Sequence, residues 1–275
     1  MIARVMSSIL DDQGRSAYRL VADPDALKRE GLFAVEGRLV LPRLLASRYR
    51  VHSVLLTSAA REAMADVFAS RPELVVHVAA ADEISDLTGH DFHRGCLALA
   101  HRQFFPVDFS RLGGARGTQP GKINREAFLV LEGVSNPDNI GGIFRSAHAF
   151  GAAAVLLGPG CGDPLYRKAI RTSMGATLDV PWGPLASWPD DLRALRDRGI
   201  TLIALTPDRA AVPLRDAVAA ASGPMAMLLG SEGHGLSDEA IAAASVTARI
   251  PMANAGADSL NVAAAAAIAL YEAAR

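Results

Sequence analysis

Three short polar islands, each following a run that reads as a buried strand, constrain what the second half of this 275-residue chain can fold into. The runs are Ala127–Leu131, Met225–Leu229 and Val246–Ile250, short enough and apolar enough for strands inside a sheet covered on both faces. The islands are Asn139-Ile140-Gly141-Gly142-Ile143-Phe144-Arg145, Gly230-Ser231-Glu232-Gly233-His234-Gly235-Leu236, and Ile250-Pro251-Met252 running on to Ser259-Leu260-Asn261. Each combines small residues, which allow tight turns, with polar side chains able to hold a ligand or move a proton. Ligand sites of open α/β sheets lie beyond the carboxyl ends of the strands, so the three loops are expected to converge on one site.

The length suffices for two domains, each with its own core. In the first half, strand-like runs alternate with helical patterns over Leu32–Val35, Leu39–Ala46, Val51–Thr57, Leu74–Val78 and Cys96–Ala100, which predicts a small α/β domain over residues 1–105. The stretch Pro106–Gly121 is dense in Gly and Pro and lacks periodicity, marking a linker at 106–124. A second α/β domain follows over 125–275. Its expected strands are the three named above with Ala153–Leu157 and Thr201–Leu205, and its expected helices are Ile140–Phe150, one near Pro189–Arg198, and Ser259–Ala274. Asp258 is the expected N-cap of that last helix, whose alanine content favours helix and lets another helix or subunit approach closely.

Charge excludes a global pull toward nucleic acid or membrane, with 28 Lys/Arg against 29 Asp/Glu. Locally the balance shifts: six basic residues face Asp108 alone between Arg94 and Arg125, and nine face six acidic residues within positions 1–52. Such stretches fit phosphate contact or a plain solvated surface. Cys96 and Cys161 are the only cysteines, which excludes a disulfide framework or a cysteine-based zinc site. His90, His93 and Cys96 have metal-like spacing but no second cluster, so no metal is expected. Gly158-Pro159-Gly160-Cys161-Gly162 imitates a Rossmann glycine loop, yet Asp163-Pro164 follows where a helix should start, and it reads as a tight turn. Ser231 and His234 invite a hydrolase reading, but Leu229 stands where a nucleophile elbow needs glycine. No apolar run reaches 18 residues, and Asp11, Asp12 and Arg15 precede any signal-peptide core, so a soluble, cytoplasmic chain is expected.

In order and at strand ends, the islands resemble the three motifs of the SpoU (TrmH-like) family of RNA ribose 2′-O-methyltransferases, in the SPOUT superfamily. The segment Asp163–Gly175 is similar to the family's stretch between its first and second motifs. Gly31–Val40 looks like the opening of an L30e-like substrate-binding domain, which Cys96–Ala100 would close. The family usually has glycine two residues after the Pro-Met pair, where this chain has Asn254, with Gly256 further on. The resemblance implies an α/β chain whose C-terminal SPOUT domain has a mostly parallel sheet and a deep trefoil knot, preceded by the smaller L30e-like α/β domain. It also implies S-adenosylmethionine as cofactor, a homodimer, and structured RNA as substrate, with ribosomal RNA favoured over transfer RNA.

Residue by residue, the resemblance casts Arg145 as the group that activates the 2′-hydroxyl and Asn139 as a holder of Arg145 or the ribose. Glu232 would orient either of these or relay a proton. Ser259 and Asn261 would bond near the cofactor or cap the last helix, and Gly230, Ile250, Met252 and Leu260 would wrap the cofactor. Arg38, Lys168 and Arg171 are candidates for RNA phosphate contact. A guanidinium stays protonated at neutral pH, so Arg145 is expected to stabilise the developing alkoxide and clamp a phosphate, the proton leaving through water, phosphate or Glu232. The competing expectation is a non-catalytic RNA-binding or ribosome-assembly factor that keeps the knotted fold.

Overall fold

The computed structural model describes residues 7–8, 12–89, 91–92, 95–105, 107, 126–253 and 259–275. Of the expected features, His90 and His93, all of the 106–124 linker except Val107, and Asn254, Gly256 and Asp258 lie outside these residues. The chain forms two compact units, one of Met1–Phe104 with Leu165–Asp179, the other of Phe105–Pro164 with Val180–Arg275.

The first unit holds β1 (Ser7–Ser8), α1 (Asp12–Arg19), α2 (Pro24–Arg29), β2 (Leu32–Glu36), α3 (Leu41–Ala46), β3 (Val51–Leu56), α4 (Ser58–Ala63), α5 (Ala65–Ala69), β4 (Val76–Val78), α6 (Ala81–Thr88) and β5 (Cys96–His101). Its sheet runs β1-β4-β3-β5-β2, with parallel pairs at the β1 edge and antiparallel pairs on both sides of β5. The run Leu39–Ala46 is helical over Leu41–Ala46, with Pro42 in the first turn, where a missing N–H does no harm. Tyr18, Leu32, Leu55, Ile84, Leu97 and Leu99 form the centre of its core.

Elements of the second unit are β6 (Ala127–Leu131), α7 (Pro137–Phe150) and β7 (Ala154–Leu157). Then α8 (Arg167–Thr172) and α9 (Ala176–Asp179) belong to the first unit, before β8 (Trp182–Pro184), α10 (Asp190–Asp197), β9 (Thr201–Leu205), β10 (Val212–Pro213), α11 (Leu214–Ala220), β11 (Met225–Leu229), α12 (Asp238–Ala243), β12 (Val246–Arg249) and α13 (Val262–Ala274) complete the second. Its seven strands run β10-β12-β9-β11-β6-β7-β8, every neighbouring pair parallel. Every residue of β6 and β11 is buried, as central parallel strands require. The chain lays β7 and β8 on one side of β6 and β9 on the other, then inserts β11 between β6 and β9 and β12 between β9 and β10. Strand direction is uniform, so all carboxyl ends share one edge, and the order reverses at the β6/β11 pair. That is where such sheets bind ligands.

Two helices bring the first and third islands to that edge. Helix α7 starts at Pro137, three residues before its apolar periodicity begins, because Asn136 caps it through Asp138 N at 2.9 Å and Pro137 opens the first turn. Asn139 therefore lies inside the first turn. Helix α13 starts at Val262 rather than Ser259, and its N-cap is Asn261. The two pack so closely that a Cβ on Gly142 would stand 3.0 Å from Ala263 Cβ. Gly142→Val is accordingly expected to lower the stability of this unit by about 1–3 kcal/mol through overpacking. Urea unfolding followed by tryptophan fluorescence checks this, since both tryptophans, Trp182 and Trp188, lie in this unit.

Candidate active site

Asn139, Glu232 and Asn261, one from each island, meet in a closed hydrogen-bond triangle. Asn139 Nδ2 donates to Glu232 Oε1 at 2.9 Å, and Asn261 Nδ2 donates to both Glu232 Oε1 at 2.8 Å and Asn139 Oδ1 at 2.9 Å. The partners are 93, 29 and 122 residues apart in sequence, so only the tertiary fold assembles them. Asn261 Oδ1 meanwhile accepts from Ala263 N at 2.9 Å and Ala264 N at 3.3 Å, capping α13. One amide thus caps a helix with its oxygen and bridges two loops with its nitrogen. The carboxylate lies at the N-terminal ends of α7 and α13, where helix dipoles favour negative charge.

The second island is a tight loop closed on itself. Gly235 N donates to Ser231 O at 3.0 Å, and the two residues form an isolated antiparallel bridge with Glu232, Gly233 and His234 at the exposed tip. Gly230 makes the closure possible: a Cβ there would sit 2.0 Å from the carbonyl carbon of Gly235. Glu132, at the end of β6, accepts from Ser237 N through Oε2 at 2.9 Å and fixes the other side of the loop. The expected turn at Gly158–Gly162 lies against the loop after β6, with Gly133 N bonded to Pro159 O at 2.8 Å and Gly162 N to Val134 O at 2.9 Å. Within it, burial raises the Cys161 thiol pKa, which leaves that sulfur a poor nucleophile at neutral pH.

Two cavities flank the triangle. The larger, about 710 Å³, is lined by the ends of β9, β11 and β12 and by Ser259, Leu260, Asn261 and Val262. Gly230, Ile250, Met252 and Leu260, the residues expected to hold a cofactor, all line it, as does Ser259. A smaller one of about 330 Å³ is lined by Gly133–Asn136, Asn139, Ser231, Glu232, His234 and Val262. Ser231, Glu232, His234 and Val262 belong to both walls. Arg145 lines neither cavity. It is exposed on α7, about 1.7 turns beyond Asn139, and has no hydrogen-bond or ion-pair partner among the described residues. Arg38, Lys168 and Arg171 lie in the other unit. Sequence reading missed Glu132, Ser135, Asn136 and Thr206 as site-building residues; the position of each at or just after a strand end was the available signal. Among the described residues no group of three or more His, Cys, Asp or Glu could hold a metal ion, and no helix is long and apolar enough to cross a membrane.

The sequence profile described as the SpoU rRNA Methylase family matches residues 126–271. The chain is similar to an uncharacterized tRNA/rRNA methyltransferase of Mycobacterium tuberculosis, 40% identical over 262 residues that cover 95% of this chain and 87% of that one. It is also similar to a 23S rRNA (guanosine-2′-O-)-methyltransferase of Ralstonia nicotianae, 30% identical over 195 residues, or 70% of this chain and 74% of that one. Among solved structures, an AdoMet-bound rRNA methyltransferase from Sinorhizobium meliloti matches with a TM-score of 0.76 at 25% identity, covering 98% of this chain and 96% of that chain.

Two sets of variants test this geometry by chemical denaturation. Gly230→Ala should cost the upper end of the roughly 1–3 kcal/mol typical of overpacking, because its Cβ meets backbone rather than a yielding side chain. Asn261→Ala should cost about 1–2 kcal/mol through the lost cap, whereas Asn261→Ser keeps an oxygen for Ala263 N and Ala264 N and should recover most of that. Equal losses for Ala and Ser would assign the cost to the bridge instead of the cap.

Proposed function

Because the chain belongs to the SpoU rRNA Methylase family, we propose that it transfers the methyl group of S-adenosylmethionine to the 2′-hydroxyl of a ribose in structured RNA, with ribosomal RNA favoured over transfer RNA. The observation that carries this reading is the place of Glu232, on the wall shared by two cavities of unequal size. The larger suits the methyl donor. Its volume lies within the roughly 300–1,000 Å³ usual for small-molecule sites, and it exposes Ile241 and Leu260, apolar side chains that an adenine ring would cover. Gly230, Ile250, Met252 and Leu260 would hold the donor there. When bound, S-adenosylmethionine supplies an electrophilic methyl group on a sulfonium.

The protein's own residues do the remaining work. Asn139 and Asn261 hold Glu232 by one oxygen, Oε1. Glu232 Oε2 has no hydrogen-bond partner among the described residues and is the acceptor for the proton leaving the ribose hydroxyl in the smaller cavity. Arg145 stabilises the developing alkoxide and an adjacent phosphate with its planar fork. It lines neither cavity of its own chain, so we read the working form as a homodimer in which a second copy completes the site. The exposed Tyr271 of α13, edge-on to Phe150 of α7 with ring centroids 6.2 Å apart, supports an interface on that helix pair. The late insertion of β11 and β12 between earlier strands supports reading the loops after them as the crossings of a deep trefoil knot. The first unit, with its mixed five-stranded sheet, is read as an L30e-like RNA-binding domain that uses Arg38, Lys168 and Arg171.

Calorimetry on the purified protein should detect S-adenosylmethionine binding, and its absence would favour a non-catalytic RNA-binding factor. Arg145→Ala and Arg145→Lys should each lower methyl transfer to ribosomal RNA by roughly 100-fold or more, the scale of losing a transition-state donor, with donor affinity unchanged. Mapping ribose methylation in RNA from cells lacking the protein should show one modification missing.

A further inference from the structure

The first unit carries a cationic surface built around a buried carboxylate. Glu36, the last residue of β2, is only 5% exposed. Arg167 and Arg171, four residues apart on one face of α8, approach its Oε2 at 3.6 and 3.8 Å. Those ion pairs are too long to be hydrogen bonds. Arg171 therefore faces the carboxylate while its N–H groups have no hydrogen-bond partner among the described residues, and its side chain stays 35% exposed.

The surface continues on both sides of this cluster. Two and three residues after Glu36 come Arg38, exposed and without a hydrogen-bond or ion-pair partner among the described residues, and Leu39, which is 77% exposed. Arg38 and Glu36 both act electrostatically on the Cys96 thiol, which burial pushes up to about 11, so both charges sit beside the start of β5. Directly before Arg167 comes Tyr166, 37% exposed, its hydroxyl likewise unpartnered among the described residues. Arg167 and Arg171 at Glu36, with Arg38 beside the start of β5, thus gather cations next to an exposed aromatic residue and an exposed leucine of the same unit.

We propose that this surface receives an unpaired stretch of the RNA substrate, with one base stacked on Tyr166 and the flanking phosphates on Arg38 and Arg171. It deepens the RNA-modifying function proposed above and rests on that reading. The cations suit an anionic partner, and an exposed tyrosine at the N-cap of the helix that carries two of them matches the stacking-plus-phosphate mode by which unpaired nucleotides are held. Duplex RNA, whose bases are already stacked, would use the cations and not the ring.

The test is fluorescence anisotropy of the full chain with a labelled hairpin RNA bearing an unpaired loop, and with the same strand made fully duplex by its complement. Tyr166→Ala should weaken hairpin binding by between about 5-fold and 150-fold, which corresponds to the roughly 1–3 kcal/mol of base–aromatic stacking. Tyr166→Phe should keep wild-type affinity, and duplex binding should not change. Arg171→Gln should reduce the salt dependence of hairpin binding by about one phosphate contact. Unchanged hairpin affinity in Tyr166→Ala, equal weakening of both probes, or a change of oligomeric state in sedimentation (a contact between copies) would overturn the proposal. Calorimetry with S-adenosylmethionine separates the two readings: hairpin binding without donor binding sinks the methyltransferase and spares this surface, and intact donor binding by Tyr166→Ala shows that the variant is folded.

Discussion

A single carboxylate oxygen, Glu232 Oε1, holds the candidate site together by accepting from the side-chain amides of two asparagines. Hydrogen bonds to a charged acceptor are stronger than neutral ones, but Glu232 is exposed and water competes for it, so their main effect is to fix where the three islands meet. The arrangement also orients the loops. Asn139 is fixed in the first turn of α7 and Asn261 at the cap of α13, so the triangle can close only if both helix N-termini point at the same spot. The close approach of Gly142 to Ala263 makes that possible, and a larger residue in either place would swing the two amides apart.

The sheet explains why that spot exists. A parallel sheet sends every strand's carboxyl end to one edge, and the reversal of order at β6/β11 leaves room between the loops that turn away in opposite directions. The loop after β11 fills part of that room as a closed turn, with Glu232 at its tip and Gly230 at its base. Its shape depends on backbone touching backbone, which no side chain at position 230 could permit. Rigidity at the base and exposure at the tip suit the role proposed for Glu232, which would have to be placed accurately and still reach a substrate.

Much of this was legible in the sequence. Strands β6, β9 and β11 run over the residues that their apolar runs predict, and the three islands supply the three members of the triangle. Helix starts were harder to read. The apolar period of α7 begins at Ile140, but the cap at Asn136 and Pro137 extend the helix backward, and that extension puts Asn139 inside a turn. For Asn261 the sequence allows a cap and a site residue together, and the structure shows both. An amide has separate donor and acceptor ends, and here each end does one of them. The membership of α8 and α9 in the first unit had no local signal at all. It depends on Glu36, more than a hundred residues upstream, and pairings at such separation leave no periodicity to detect.

Glu36 and Glu232 show how environment divides labour between two like groups. Glu36 is buried and faced by two guanidinium groups, so its charge is spent inside the protein on fixing the position of cations. Glu232 is exposed and held by neutral amides, which orient a carboxylate without cancelling its charge. In the proposed role of proton acceptor, Glu232 would have to keep its negative charge available to the substrate, whereas an anchor such as Glu36 need not. The same reasoning bears on Arg145, which stands apart from the triangle. An arginine bonded to Glu232 would neutralise the carboxylate, so under the proposed mechanism keeping the two apart would preserve both charges until a substrate lies between them.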